Sequence, residues 1–209
     1  HVYDNGLEHK RTINAWHLMP KSTYALFQYL NSSDFVDSLC SLVGKKLYAD
    51  SGLHGGGWHC HGTGGNLNPH LDYSIHPKLG LQRFLNIIIY VSPNLHEVHR
   101  GHLGLWEHDP HSNGPGKLAK EIAPKFNRAV IFNTTQNSWH GMSQKLVVPD
   151  DVFRQSLAIY YLCDPMEDAV PRDKALFAAR SDQVGKKDIE KLIKARSSSE
   201  TASEVYIRK

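Results

Sequence analysis

Cysteine is scarce: Cys40, Cys60 and Cys163 are the three in 209 residues. An odd number without framework spacing excludes a disulfide scaffold and suits a reducing compartment, so a cytoplasmic location is the expectation. Long apolar runs are also missing. No stretch approaches the roughly 18 apolar residues of a membrane span, no basic-then-apolar leader is visible, and no membrane association is expected. Charge of one sign does not accumulate either. With 24 Lys and Arg against 21 Asp and Glu, scattered along the chain, the balance does not mark a nucleic-acid surface. There is no internal repeat, and composition is silent on oligomeric state. What is present is a chain 40% hydrophobic, long enough for one substantial core, and one domain is expected over residues 1–209.

The local pattern places helices early and strands in the middle. Residues 1–20 read as polar and irregular. Helical spacing runs from Ser22 to Leu30 and from Asp34 to Val43, where Phe35, Val36, Leu39, Leu42 and Val43 form one stripe. Ser33 or Asp34 is available as N-cap and Gly44 as terminator. These helices, about 20–44, should pack on the outside of a sheet. From Lys46 onward the pattern turns to strands: Lys46–Asp50, Trp58–His61, Arg83–Val91, Gly101–Trp106, Lys125–Thr134 and Val152–Leu162. Arg83–Val91 is apolar on both faces, as for a strand at the heart of a two-layer β structure. After Asp164, residues 172–180 and 186–196 read as two helices that cover a barrel core of about 45–165. Ser197–Lys209 is polar and reads as loose.

Chemistry concentrates at Asn68-Pro69-His70-Leu71-Asp72. On a strand, residues i and i+2 share a face, so His70 and Asp72 can close on one ion, and Asn68 would share that face. With 14 histidines, one His-x-Asp triplet is about what chance supplies, so its company must decide. Trp58-His59-Cys60-His61 offers zinc-ligand types, but adjacent strand residues point to opposite faces and no second ligand pair follows at finger spacing. One face of that strand should line the same cavity as His70 and the other should be core. Asn86 and Tyr90 are the polar members of an apolar strand, and a buried Tyr hydroxyl needs a partner, either backbone or a polar ligand. His140 stands beside Trp139 and Gly141. Arg154 and Ser156 share one face of an apolar strand, where a guanidinium is costly unless an anion meets its planar fork.

In chain order the set is His70-x-Asp72, His140 and Arg154-x-Ser156. Two His and one carboxylate on one side of an ion, with open positions opposite, is the arrangement of non-haem Fe(II) oxygenases. From about Gly55 to Asp164 the sequence resembles the prolyl 4-hydroxylase-like branch of the 2-oxoglutarate and Fe(II)-dependent oxygenases. Residues 66–72, 83–92, 101–106 and 123–132 resemble that family's successive strands.

The resemblance implies a mainly β fold with flanking helices, a double-stranded β-helix (jelly-roll, cupin-like barrel). It implies His70, Asp72 and His140 as iron ligands and Arg154 on the distal carboxylate of 2-oxoglutarate. Ser156 and Tyr90 would assist, and Asn86 would face the same cavity. Fe(II), 2-oxoglutarate and O2 are the implied cofactor and cosubstrates, with ascorbate a candidate auxiliary. The implied reaction hydroxylates a C–H bond of a small-molecule or peptidyl substrate, a peptidyl proline by family weight, and releases succinate and CO2. Asp72 argues for hydroxylation, since related halogenases lack this carboxylate. The interval from His140 to Arg154 is longer than usual in the branch, which the sequence suggests is an inserted hairpin at Lys145–Asp151. A cupin-like binding module, a zinc hydrolase on the same jelly roll and a metal-free barrel are the rival readings.

Overall fold

The structure is a computed structural model and describes residues 1–134, 137–167, 169–172 and 174–198. In chain order it contains β1 (Val2–Asp4), β2 (Glu8–Ile13), α1 (Lys21–Leu30), α2 (Ser33–Val43), β3 (Tyr48–Ala49), β4 (Gly57–His61), β5 (Asn66–Leu67), β6 (His70–Leu71), β7 (Gln82–Tyr90), β8 (Leu103–Asp109), β9 (Gly114–Ile122), β10 (Ala129–Asn133), β11 (Trp139–Met142), β12 (Arg154–Cys163), β13 (Leu176–Phe177) and α3 (Lys187–Ser197).

Two antiparallel sheets face each other. The larger runs β1-β2-β4-β12-β7-β10, with β3 beside β12 and β5 beside β2, and the smaller runs β13-β6-β11-β8-β9. From β4 to β12 the chain crosses repeatedly between the sheets, so it winds as the double-stranded β-helix expected from the resemblance. Period-2 alternation then decides which side chain meets which layer. Along β12, Leu157, Ile159 and Tyr161 join Leu85 and Ile87 of β7 in a core closed from outside by Phe27, Leu30 and Leu39 of the two helices. The opposite face of β12 carries Arg154, Ser156, Ala158 and Tyr160 into a cavity between the sheets.

Several expectations are corrected. Residues 1–20 are not irregular: β1 and β2 form a hairpin whose turn is held by the Asn5 carboxamide accepting from the Leu7 and Glu8 amides, and β2 adds to β4. The α2 N-cap is Ser32, which accepts from the Phe35 amide, rather than Ser33 or Asp34; Gly44 terminates the helix at φ 65°. Strand β9 lay hidden in the sequence because it is an exposed edge strand of mixed charge, without the apolar face that makes a strand legible. Residues 143–153 form no hairpin. They make a loop pinned by buried Leu146 and Val148, with Leu146 exchanging backbone bonds with Gly64 and Gly65, and it returns β12 in register, Arg154 opposite His61.

The first helix expected after Asp164 is absent among the described residues. Residues 176–177 instead pair with β6, Leu176 opposite Leu71 and Phe177 opposite His70. An open strand edge beside β6 outweighed a weak helical pattern. The second expected helix is α3, whose Ile189 is buried against Leu7 and Phe177. The tail read as loose lies outside the described residues beyond Ser198.

Candidate metal centre

Strands β6 and β11 are hydrogen-bonded neighbours with His70 directly opposite His140. Such proximity requires Gly141, because a Cβ there would sit 2.6 Å from the Asn68 carbonyl oxygen of the adjoining chain. Asp72 follows β6, and the three side chains are all buried. Nε2 of His70 stands 3.7 Å from Asp72 Oδ1, and Nε2 of His140 stands 3.6 Å from Asp72 Oδ2. One donor atom from each lies within 4.8 Å of the others.

The imidazoles are oriented for coordination. Nδ1 of His70 meets the Asn68 carbonyl at 2.9 Å, and Nδ1 of His140 meets the Ser138 carbonyl at 2.9 Å. Each carbonyl can only accept, so each Nδ1 carries the proton and donates, leaving the Nε2 lone pairs aimed at the centre. Phe177 stacks on His70 with ring centroids 5.2 Å apart, and Phe132 meets His140 edge-on at 5.0 Å. Burial, and then the nearby His140, lowers the His70 pKa to about 3, so its ring is neutral. Burial pushes the Asp72 carboxyl up, but Arg83, His140 and His70 outweigh it and hold the group down at about 2. Two imidazoles that turn their Nε2 atoms to the centre and a carboxylate, on one side of a cavity, are the donor set of a non-haem Fe(II) site. Asp72 Oδ2 is buried without a hydrogen-bond partner among the described residues, which leaves it available to a cation.

The cavity has a volume of about 410 Å³. Asn86, Arg154 and Ser156 line it together with the triad. Arg154 is buried; its Nε donates to the Gly101 carbonyl at 2.8 Å, and Nη2 lies 3.4 Å from the Tyr90 hydroxyl. No carboxylate lies within 4 Å of its guanidinium among the described residues. Burial lowers its pKa, as expected for a cation short of an anion. Ser156 sits opposite Tyr90 across the β12–β7 pairing, whereas Asn86 sits opposite Tyr160, four residues further along, and Tyr90 meets the site through its hydroxyl at Arg154 rather than by lining the cavity. His59 and His61 line the cavity opposite Ser156 and Arg154 and belong to no group of three metal-ligand residues among the described residues, while Cys60 points away from it. Asn68 does not join the triad. Its amide donates to the Ala178 carbonyl and to Gln183, tying β6 to the C-terminal segment.

Sequence reading missed Arg83 and Tyr160. Arg83 Nη1 lies 3.3 Å from Asp72 Oδ1, and Tyr73 and Tyr160 flank its guanidinium. The signal was available, since Arg83 is an arginine opening an apolar strand as Arg154 is. Simple alternation assigns Arg83 to the helix-facing side with Leu85 and Ile87. A bulge, where Tyr161 faces Leu85 but Leu162 faces Arg83, turns it inward. Of the nearby aromatic residues, Tyr73 lines the cavity, whereas buried Trp139 donates to His108 and Trp58 packs toward the helices.

The sequence profile described as the 2OG-Fe(II) oxygenase superfamily matches residues 56–162, just over half of the chain. The chain belongs to the 2OG-Fe(II) oxygenase superfamily. That superfamily's cofactor and cosubstrates, Fe(II), 2-oxoglutarate and O2, suit the donor set and the unpaired Arg154 described above. No curated protein matches the sequence. Solved structures similar to this oxygenase include a Trichoplax adhaerens prolyl hydroxylase in complex with a hypoxia inducible factor oxygen degradation domain peptide fragment (20% identity, 74% of this chain and 62% of that one, TM-score 0.45). Others are a Pseudomonas putida prolyl-4-hydroxylase (16%, 75% and 71%, TM-score 0.46) and a structure of prolyl 4-hydroxylases from Phytophthora capsici (21%, 90% and 58%, TM-score 0.49). The chain thus spans about three fifths of the Trichoplax and Phytophthora chains.

Proposed function

We propose that this oxygenase is a hydroxylase of the prolyl 4-hydroxylase-like branch, with 2-oxoglutarate as cosubstrate and succinate and CO2 as co-products. The observation that carries the reading is Arg154, a buried guanidinium with no acid partner among the described residues, in the same cavity as the triad. A planar fork in that position suits a dicarboxylate whose other end reaches the metal.

In this reading His70, Asp72 and His140 hold the iron from one side and leave the cavity side open. When bound, iron supplies the redox chemistry that couples decarboxylation of 2-oxoglutarate to hydroxylation of a C–H bond. Arg154 receives the distal carboxylate in its fork. The Ser156 and Tyr90 hydroxyls donate hydrogen bonds at that end, and the Asn86 carboxamide faces the same cavity. The surrounding barrel excludes water, which strengthens each of these polar contacts.

The substrate class proposed is a peptidyl proline, supported by the resemblance of residues 66–72, 83–92 and 101–106 to the prolyl 4-hydroxylase-like branch. The test supplies Fe(II), ascorbate, 2-oxoglutarate and air, with proline-containing peptides or free amino acids as substrates. Succinate release coupled to gain of one oxygen on a prolyl residue is the expected result. Coupled turnover on free amino acids alone would replace the substrate class, and absence of any 2-oxoglutarate turnover would overturn the reading.

A further inference from the structure

The guanidinium of Arg83 is fully buried yet has been given an elaborate seat. Its carbon lies 3.4 Å from the ring centroid of Tyr73 and 3.4 Å from that of Tyr160, so the two rings clamp it from both faces. Nη2 donates to the His54 carbonyl. The seat depends on Gly55, since a Cβ at that position would come within 2.6 Å of Nη2, and Gly55 has φ +74°, where a side chain is strained. The fourth contact is the ion pair with Asp72 Oδ1 at 3.3 Å. Asp50, another buried carboxylate nearby, is committed elsewhere, accepting from the Gly52 and His54 amides and lying 3.8 Å from His76.

We infer that Arg83 is a positioning residue for the metal site: it holds Asp72 Oδ1 and so sets the turn of the carboxylate, with Oδ1 on the His70 side and Oδ2 facing His140. The inference rests on the oxygenase reading above. Its physical basis is division of labour within one carboxylate. Oδ1 is engaged by a cation that cannot rotate, because both ring faces hold it, and Oδ2 is left buried with no hydrogen-bond partner among the described residues. An Asp72 side chain without that hold could turn about χ2 and offer either oxygen, or both, to an ion. Arg172 fixes the same residue from its backbone, its Nε and Nη2 donating to the Asp72 carbonyl at 2.9 and 2.6 Å.

The test is Co(II) binding to wild type, Arg83→Met and Arg83→Lys, followed by calorimetry and by the visible Co(II) spectrum, with melting of each apo-protein measured alongside. Partners behind a metal ligand typically contribute roughly 10- to 100-fold in affinity. We expect a loss of that size in Arg83→Met with an altered Co(II) spectrum, and partial recovery in Arg83→Lys, which restores charge but neither the fork nor the stack. Wild-type affinity and spectrum in folded Arg83→Met would overturn the inference while leaving the oxygenase reading intact. Should Arg83→Met not fold, Arg83→Lys decides: weakened affinity with an altered spectrum supports the inference, and unchanged binding overturns it. Failure of wild type to bind Co(II) would instead overturn the reading beneath it, and this inference with it.

Discussion

Two buried arginines divide the cavity between them, and substitutions at each should fail differently. Arg154 has no anion of its own among the described residues. Arg154→Ala should therefore raise the 2-oxoglutarate concentration needed for half-maximal turnover by roughly 10- to 100-fold, the worth of a charged hydrogen-bonded contact of about 1.5–3 kcal/mol. Metal affinity should be unchanged, and a parallel loss of metal binding would take Arg154 out of the cosubstrate end. Asp72→Ala should abolish turnover and also destabilise the fold, because it strips Arg83 of its partner and leaves a buried charge, at a cost of about 3–5 kcal/mol. Denaturant unfolding of the apo-protein checks the second effect, and wild-type stability would mean that water or another group neutralises Arg83. Of the two arginines the sequence exposed one. Arg154 sits in phase with Ser156, so alternation points both inward, whereas Arg83 reaches the cavity only through a bulge that no spacing announces.

At the scale of elements, the site depends on how closely β6 and β11 approach. Gly141→Ala would push a methyl group against the Asn68 carbonyl and drive the two strands apart, carrying His70 away from His140. We expect weakened Co(II) affinity together with a lowered melting temperature, and an unchanged affinity would show that the strands give without moving the histidines. The barrel strands that bury one face or two were legible, since β4, β7, β10 and β12 carry either strict alternation or continuous apolar runs. Strand β9 was not, being an exposed edge strand with no run of alternating apolar residues, and neither was β13, two residues long and recruited by the open edge of β6. The β1–β2 hairpin had its signal in Asn5-Gly6, a turn pair whose flanking strands are too polar to stand out. Phe177, which stacks on His70, was lost with β13, so part of the candidate site was illegible for the same reason as the strand that carries it.

At the scale of the molecule, β2 and α3 meet beside the cavity. Glu8 of β2 accepts from Arg196 of α3 at 2.9 Å and from Lys10 at 3.1 Å, with all three largely buried. Burial alone would raise the Glu8 carboxyl, yet Lys10 and Arg196 outweigh it, and the net shift is below the ordinary value of 4.5. A carboxylate shifted downward on folding contributes stability above its unfolded pKa, and that share is lost as pH falls through the folded value. Glu8→Gln should accordingly be less stable than wild type at neutral pH, and the difference should shrink as pH drops below about 4.5. Chemical unfolding at a series of pH values measures this, and a difference that persists at acid pH would assign the loss to packing instead. The central claim, that the triad and Arg154 form one site for iron and 2-oxoglutarate, is tested most directly by anaerobic titration of the apo-protein with Fe(II) and then 2-oxoglutarate. The account expects the weak visible charge-transfer band of keto-acid chelation in wild type and its loss in His140→Ala. Iron binding without that band would contradict it and favour a cupin-like or hydrolytic site on the same barrel.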